Sequence, residues 1–128
     1  MGLLFPELYI PKQARQLYLE KKSRLVADVN SNRISLIATN HQKINLMYSS
    51  VRALSPIHLQ YLRNANCAAS FSISIVINEK LWGIVACQNS EPKFIPNQVR
   101  LQTELLTRQA RLTYVNFKAT ERLKFQNY

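Results

Sequence analysis

The stretch Ser70-Phe-Ser-Ile-Ser-Ile-Val-Ile77 decides the fold, because small polar and large apolar residues alternate along it. A period of two residues is typical of a β-strand with one face against a core. Asn78-Glu79-Lys80 then supplies a turn, and Leu81-Trp-Gly-Ile-Val-Ala-Cys87 returns as a second, more uniformly apolar strand. The two segments predict an antiparallel hairpin in the middle of a sheet.

Upstream of the hairpin, the sequence predicts two helices and two short strands. Pro11 opens a helix that runs to Glu20, and Ser55-Pro56 supplies an N-cap and a first-turn proline for the next helix. Residues 24–29 and 34–37 have the length and the β-branched content of strands. Residues 38–50 show no clear period and are interpreted as loop with a short helix.

Downstream of the hairpin, residues 97–128 contain neither Gly nor Pro and predict one long helix. Its apolar residues recur at three-, four- and seven-residue steps: Leu101, Leu105, Leu112, Val115, Ala119 and Leu123. About 30 helical residues extend ~45 Å, which is longer than a domain of this size needs. The order of elements predicts an α+β fold whose long helix projects or pairs with another chain.

Length and charge bound the class of protein. The chain has 128 residues, enough for one domain, and its 17 basic and 7 acidic residues give a net charge of +10. Such a charge suggests an anionic partner, but the basic residues are spread evenly and no aromatics are interleaved with them, so nucleic acid is a weak candidate. Two cysteines and the lack of a ~20-residue apolar stretch predict a cytoplasmic protein without a membrane partner.

Few side chains could support catalysis or bind a metal. Cys67, Cys87, His41 and His58 are widely separated and match no zinc spacing. A Cys87–His58 nucleophile pair is the one arrangement that the sequence leaves open. Its simpler alternative is that Cys87 is a small buried residue at the end of an apolar strand. We therefore expect a domain that is not an enzyme and binds no metal.

Several blocks stand in an informative order along the chain. They are Val51-Arg-Ala-Leu-Ser-Pro-Ile-His-Leu-Gln-Tyr-Leu-Arg-Asn64, Ala69-Ser-Phe-Ser-Ile-Ser-Ile-Val76 and Leu81-Trp-Gly-Ile-Val-Ala-Cys87. Together they strongly resemble the chromophore-binding GAF domain of phytochromes, with its L-R-x-x-S-P-x-H-x-x-Y-L segment, Ser-x-Ser strand and K-L-W-G-L-I-A-C strand. The opening residues 5–18 are similar to the family's P-x-S-D-I-P segment and the helix after it.

The resemblance implies a GAF-like antiparallel sheet flanked by helices and a linear tetrapyrrole (bilin) cofactor, such as biliverdin, with two propionates. Arg24 and Arg52 match family arginines that pair with the propionates, and Ser72 and Ser74 match hydroxyls that hydrogen-bond to them. His58 matches the histidine beside the central pyrroles. Taken singly, each residue also has an ordinary interpretation, as a surface cation or a core histidine; only their joint order favours the pocket.

Further positions complete the implied pocket or depart from the family. Tyr18 and Tyr61 match aromatics around the isomerising ring, and Gln88 stands where the family has a histidine. In the P-x-S-D-I-P segment, Tyr9 replaces the family's aspartate and Ile10 follows it. At Ile57, plant and cyanobacterial members carry the cysteine that attaches the pigment.

These matches lead to three hypotheses. The first is a partial GAF domain spanning residues 1–128, too short at its N-terminus for the family's first strand, that binds bilin for light-responsive signalling in a two-component histidine kinase. The second is a GAF-type signalling or dimerisation domain that binds no bilin, and the third is a basic nucleic-acid-binding protein. In the first two, we expect a homodimer through the helix at about 97–128, with a parallel contact by Leu105, Leu112, Val115 and Leu123.

Overall fold

Helices and strands alternate along the chain in the predicted α+β arrangement. The computed structural model describes residues 12–38, 44–49 and 52–126, and it describes side chains as far as residue 124. The elements in chain order are α1 (Lys12–Glu20), β1 (Ser23–Val26), α2 (Pro56–Asn64), β2 (Ala69–Ile77), β3 (Lys80–Asn89) and α3 (Asn97–Gln126). The predicted α+β class is confirmed, and so are the hairpin and the long C-terminal helix. The hairpin does not lie in the middle of the sheet as predicted, because its second strand, β3, is at the edge of the described strands.

The three described strands form one antiparallel sheet in the order β1-β2-β3, so β2 lies in the middle and β3 at an edge. The hairpin closes through Asn78 and Glu79, whose φ values are 49° and 61°. Two successive positive φ angles make the two-residue turn whose twist matches that of the paired strands. Asn tolerates this conformation better than most residues, which explains its place at the turn.

Side chains alternate along β2, so successive residues point to opposite faces of the sheet. Directly opposed residues of neighbouring antiparallel strands point to the same face. One face carries Ser70, Ser72 and Ser74, and we call it the serine face. On it, Ser72 lies opposite Arg24 of β1 and opposite Ala86 of β3. The other face carries Phe71 and Ile73, both almost fully buried, and α3 packs over it, mainly against β2.

A second buried cluster lies where α2 meets the chain beyond β1. Val29, Leu62 and Cys67 form its centre. Ser55 caps the start of α2 by accepting a hydrogen bond from the His58 backbone amide at 3.3 Å. Asn66, at a φ of 54°, ends the helix in a left-handed conformation that returns the chain to this cluster.

Three sequence predictions are wrong. Residues 34–37 are not a strand: Ile34 and Ile37 are each 93% exposed, and no described strand pairs with them. The strand predicted over residues 24–29 is shorter, because Asp28 Oδ1 accepts a hydrogen bond from the Asn30 amide and turns the chain. Cys87 is exposed rather than buried, because β3 lies at the edge of the sheet formed by the described strands and α3 covers β2.

Candidate functional site

A cluster of hydroxyl groups lies between α1 and the serine face. The Tyr18 hydroxyl is 2.7 Å from Ser72 Oγ, and Ser74 Oγ donates a hydrogen bond to the Tyr18 carbonyl at 2.9 Å. Ser72 and Ser74 are 8% and 5% exposed, so their hydroxyls are held away from bulk water. Because serine side chains are short, both hydroxyls are fixed by the positions of β2 and α1.

Two arginines stand beside these hydroxyls. Arg24, opposite Ser72 on the serine face, donates from Nη2 to the Arg52 carbonyl at 2.8 Å. Burial lowers the pKa of the Arg24 guanidinium, and the Arg52 cation lowers that pKa further. Both guanidinium groups stay charged near neutral pH. Two cations held this close repel one another, and an anion between them would relieve the repulsion.

His58 and Tyr61 enter the same region from the first two turns of α2. Their ring centroids are 6.0 Å apart at an interplanar angle of 56°. Burial lowers the pKa of the His58 imidazole below its ordinary 6.5, and the Arg24 cation lowers that pKa further. The electrostatic effect of Arg24 on this pKa indicates that the His58 and Arg24 side chains are close enough to interact.

The remaining predicted residues lie at the margin of this cluster or cannot be assigned a position. Gln88 is exposed on β3 and lies opposite Ser70, so it shares the serine face toward one end of the strands. Tyr9 and Ile10 lie outside the described residues. Cys87 lies opposite Phe71, on the other face from Ser72, so neither the Cys87–His58 pair nor a thiol near Ser72 is formed.

Two basic residues that the sequence analysis did not single out lie beside this cluster. Lys21 and Arg100 line a small cavity together with Arg24 and Arg52. Lys21 follows α1, and Arg100 lies in the first turn of α3, which is far away in sequence. Only the high net charge hinted at such residues, because a charge total does not say which cations the fold brings together.

The arrangement suits recognition of an anion with polar substituents. Guanidinium groups match the planar fork of a carboxylate, and hydroxyls add hydrogen bonds that fix its orientation. Among the described residues, no group of three or more His, Cys, Asp or Glu side chains is placed to hold a metal ion. The described helices also include none with the length and apolar character needed to cross a bilayer.

The lowered pKa of His58 predicts a pH-dependent stability. The unfolded chain takes up a proton at His58 near pH 6.5, whereas the folded chain resists protonation until the pH is lower. Stability contributed by neutral His58 is therefore present above pH 6.5 and lost as the pH falls below it. Urea unfolding at pH 7.5 and at pH 5 measures how much stability is lost on acidification. The loss should be smaller for His58→Gln than for the wild-type chain, and the difference should be at most the effect of one proton taken up on unfolding. Equal losses would contradict this prediction.

Comparison with known proteins agrees with this geometry. The family model of the GAF domain matches residues 3–113 of this chain, so the chain belongs to the GAF domain family. Within that family it is homologous to phytochrome chromophore-binding domains. It is 38% identical to cyanobacterial phytochrome B from Nostoc sp. over 94% of this chain, and 40% identical to a bacteriophytochrome from Pseudomonas aeruginosa over 84% of it. The chain spans 16% and 15% of the lengths of these two relatives.

Solved structures give the same assignment. The chromophore-binding domain of the bacteriophytochrome RpBphP3 from R. palustris superposes with a TM-score of 0.85 at 32% identity, over 91% of this chain and 40% of that one. The corresponding domain of a Stigmatella aurantiaca bacteriophytochrome gives 0.82 at 34% identity, over 90% of this chain and 39% of that one. The antiparallel sheet and the long C-terminal helix therefore form a GAF fold, the fold of a sensory domain rather than a catalytic one.

Proposed function

We propose that Ser72 and Ser74 on the serine face, the two arginines and α2 hold a linear tetrapyrrole, and that the chain is a photosensory module of a longer cytoplasmic signalling protein. Family membership supports a photosensory domain of the bilin-binding kind. The observation that carries the proposal for this chain is the convergence of Arg24, Arg52 and the Tyr18–Ser72 hydroxyl pair.

Each part of the cluster has a role in this proposal. The guanidinium groups of Arg24 and Arg52 pair with the propionate carboxylates, and Ser72 and Ser74 orient those carboxylates. The imidazole of His58, neutral in the folded chain near pH 7, offers one donor and one acceptor to the pyrrole nitrogens and their proton. Tyr61 supplies an aromatic wall for the conjugated ring system.

Within this chain the pigment would be held without a covalent bond. The chain has two cysteines; Cys67 is buried in the cluster with Leu62, and Cys87 lies on the face away from Ser72. Ile57, at the attachment position of plant and cyanobacterial members, has no thiol and is 82% exposed. Affinity then depends on noncovalent contacts alone, which makes substitutions at the arginines and hydroxyls informative.

An absorption spectrum with biliverdin tests the proposal. We expect the purified chain to give a red absorption band that saturates with pigment, and the pigment should separate from the protein on gel filtration in denaturant. Ser72→Ala should weaken binding by about tenfold, because it removes one hydrogen bond to a charged carboxylate. Ser70→Ala, a change on the same strand and face, is the control and should bind as the wild type does. No saturable band with the wild-type chain would refute pigment binding.

A second proposal concerns assembly, and exposed apolar residues of α3 support it. Leu105, Leu112 and Leu123 are 55%, 50% and 61% exposed, and Val115 is 39% exposed. We propose that they form a parallel contact with α3 of a second copy. The helix carries six basic and two acidic residues, so two copies repel electrostatically. Added salt screens that repulsion and should strengthen the dimer.

Sedimentation velocity tests this contact. The wild-type chain should be dimeric at high concentration, with a dissociation constant that falls as salt rises. Leu112→Glu should give a monomer, because it places a charge in the apolar contact. Ala110→Glu adds the same charge on the opposite side of the helix and should remain dimeric. A monomeric wild-type chain at high concentration would contradict the proposal.

A further inference from the structure

A cavity of about 330 Å³ lies between α3 and the middle strand of the sheet, and we call it the α3 cavity. Ile73 and Ile75 of β2 line it on the face that α3 covers, so it lies on the other side of the sheet from Ser72. Its volume lies within the range of small-molecule sites. At the ~30 Å³ that one water molecule occupies in the liquid, the cavity has room for about eleven groups of that size.

One part of the lining is apolar and open to solvent. Leu101 and Leu105, one helical turn apart on α3, contribute to it, and each is 55% exposed. Together with Ile75, they leave apolar side chains at the wall of a cavity rather than in a packed core. A ligand with an aliphatic portion would remove this surface from water, with a gain in affinity that grows with the area covered.

The rest of the lining is mainly basic. Lys22, Arg108 and Arg111 contribute to it, and Glu104 is the one carboxylate among the described lining residues. The Glu104 carboxylate already accepts a hydrogen bond from the Ser23 hydroxyl. Three cations against one carboxylate favour an anion in this cavity over a cation or a neutral molecule.

Arg111 has an unused hydrogen-bond donor. Its Nη1 donates to the Val76 carbonyl at 3.0 Å, which holds the guanidinium group against β2. Its Nε is buried and has no hydrogen-bond partner within the described part of the chain. Buried donors in folded proteins are almost always paired. An unpaired donor on an arginine that lines a basic cavity indicates an acceptor that the described residues do not supply.

We propose that the α3 cavity binds a small amphipathic anion, a carboxylate with an unbranched aliphatic tail of about eight carbons. The carboxylate pairs with Arg111 and Arg108, because a guanidinium group presents parallel N–H donors that match its two oxygens. The tail lies against Ile75, Leu101 and Leu105. Such a molecule has about ten heavy atoms, which the cavity admits, whereas a two-chain lipid is several times too large.

This site is separate from the one that the proposed function uses. Ser74 is the only residue of the arginine and hydroxyl cluster that also lines the α3 cavity, and its hydroxyl donates to the Tyr18 carbonyl. Of the residues in the proposed dimer contact, Leu105 alone lines the cavity. The site therefore adds a ligand on the face of the sheet opposite the proposed pigment.

The experiment titrates octanoate into the full chain at constant ionic strength and measures affinity by calorimetry and by the thermal midpoint. We expect a saturable rise in the thermal midpoint, because a ligand that binds only the folded state stabilises it. 1-Octanol keeps the tail without the charge and should bind at least tenfold more weakly, whereas acetate keeps the charge without the tail and should give no saturable rise. No saturable rise with octanoate, or equal affinity for octanoate and 1-octanol, would overturn the site.

Substitutions of arginine test the anionic end. Arg111→Gln should weaken octanoate binding at least tenfold, because it removes a charge-assisted contact. Arg122→Gln makes the same change on α3 outside the cavity lining and should stay within twofold of the wild type. Unchanged affinity in Arg111→Gln would overturn the site. If Arg111→Gln does not fold, the exposed Arg108→Gln replaces it and should weaken binding about threefold, and unchanged affinity there would also overturn the site.

A pair of threonine substitutions tests whether octanoate occupies this cavity. Thr107 lines the cavity and Thr113 is exposed outside the lining, and each hydroxyl donates to the carbonyl one turn earlier on α3. Thr107→Phe adds a large side chain at the wall of the cavity and should reduce octanoate affinity at least tenfold. Thr113→Phe is the matched control and should bind as the wild type does. Equal affinity in these two variants would place octanoate elsewhere and overturn the site.

Biliverdin separates this site from the proposed function. Because the two ligands would lie on opposite faces of the sheet, saturating octanoate should leave the affinity for biliverdin within twofold of its value without octanoate. Octanoate binding in a chain that binds no biliverdin would refute the pigment proposal and leave the α3 cavity standing. Competition between the two ligands would place octanoate among the arginines beside the serine face and overturn the α3 cavity as its site.

Discussion

Arg24→Gln is expected to weaken biliverdin binding by about tenfold to a hundredfold, the largest effect on pigment binding among the single changes considered. A charge-assisted hydrogen bond contributes about 1.5–3 kcal/mol, and the glutamine amide keeps a donor but no charge. Arg24 also interacts with three other pocket groups. It lies opposite Ser72, donates a hydrogen bond to the Arg52 carbonyl and lowers the pKa of His58. Titration followed by red absorbance measures the change.

The same substitution should leave the pigment-free chain about as stable as before. The hydrogen bond from Arg24 to the Arg52 carbonyl is lost, but so are the buried charge and its repulsion with Arg52. Urea unfolding of the wild type and Arg24→Gln should therefore give midpoints that differ little. Arg122→Gln is the control for a loss of charge elsewhere. Weakened binding that merely follows a large loss of stability would contradict a direct role in pigment recognition.

Ile73→Ala is expected to destabilise the fold by about 2–5 kcal/mol, the cost of leaving a cavity in a packed core. Ile73 is 2% exposed on β2, the strand that pairs with both neighbours, and it faces the side that α3 covers. Denaturant midpoints at an unchanged slope measure the loss.

Ile57→Ala is the matched control for that change. Ile57 is 82% exposed on α2, so the same truncation there should alter stability by less than about 0.5 kcal/mol. A loss at Ile73 as small as the loss at Ile57 would show that the sheet does not pack against α3 as described.

The sequence correctly predicted the elements whose signal lies in their own residues or in the residues next to them. Strict alternation identified β2, and Ser55-Pro56 located the start of α2, because capping needs only neighbouring residues. The predictions that are wrong depend on which distant segments of the chain pair with an element or cover it. The β-branched residues 34–37 have strand propensity, but no described strand is placed to pair with them, and propensity without pairing leaves Ile34 in an exposed loop.

In the candidate site, too, the sequence identified the local motifs but not the residues that packing brings to them from elsewhere in the chain. The order of the motifs around Arg52, His58 and Ser72 was visible in the sequence, and the structure lets their side chains be located. Arg100 was missed because it follows Ser72 by 28 residues and reaches the cavity only when α3 packs against the sheet. Exposure of Cys87 was missed for the converse reason, because alternation cannot show which strand of a hairpin a helix covers.

Because the chain spans 16% of the length of the Nostoc phytochrome that it resembles, a kinase output and a light-driven signal remain proposals about a longer protein. The cluster of Arg24, Arg52 and the serine hydroxyls, by contrast, lies wholly within the described residues. Its chemistry can be tested in the chain as it stands.

Titration of the wild-type chain with biliverdin and, in parallel, with biliverdin dimethyl ester tests the central claim most directly. The ester keeps the conjugated rings and loses both carboxylate charges. If guanidinium groups recognise the propionates, biliverdin should bind with a saturable red band and the ester at least tenfold more weakly. Equal binding of acid and ester, or no binding of either, would contradict the account.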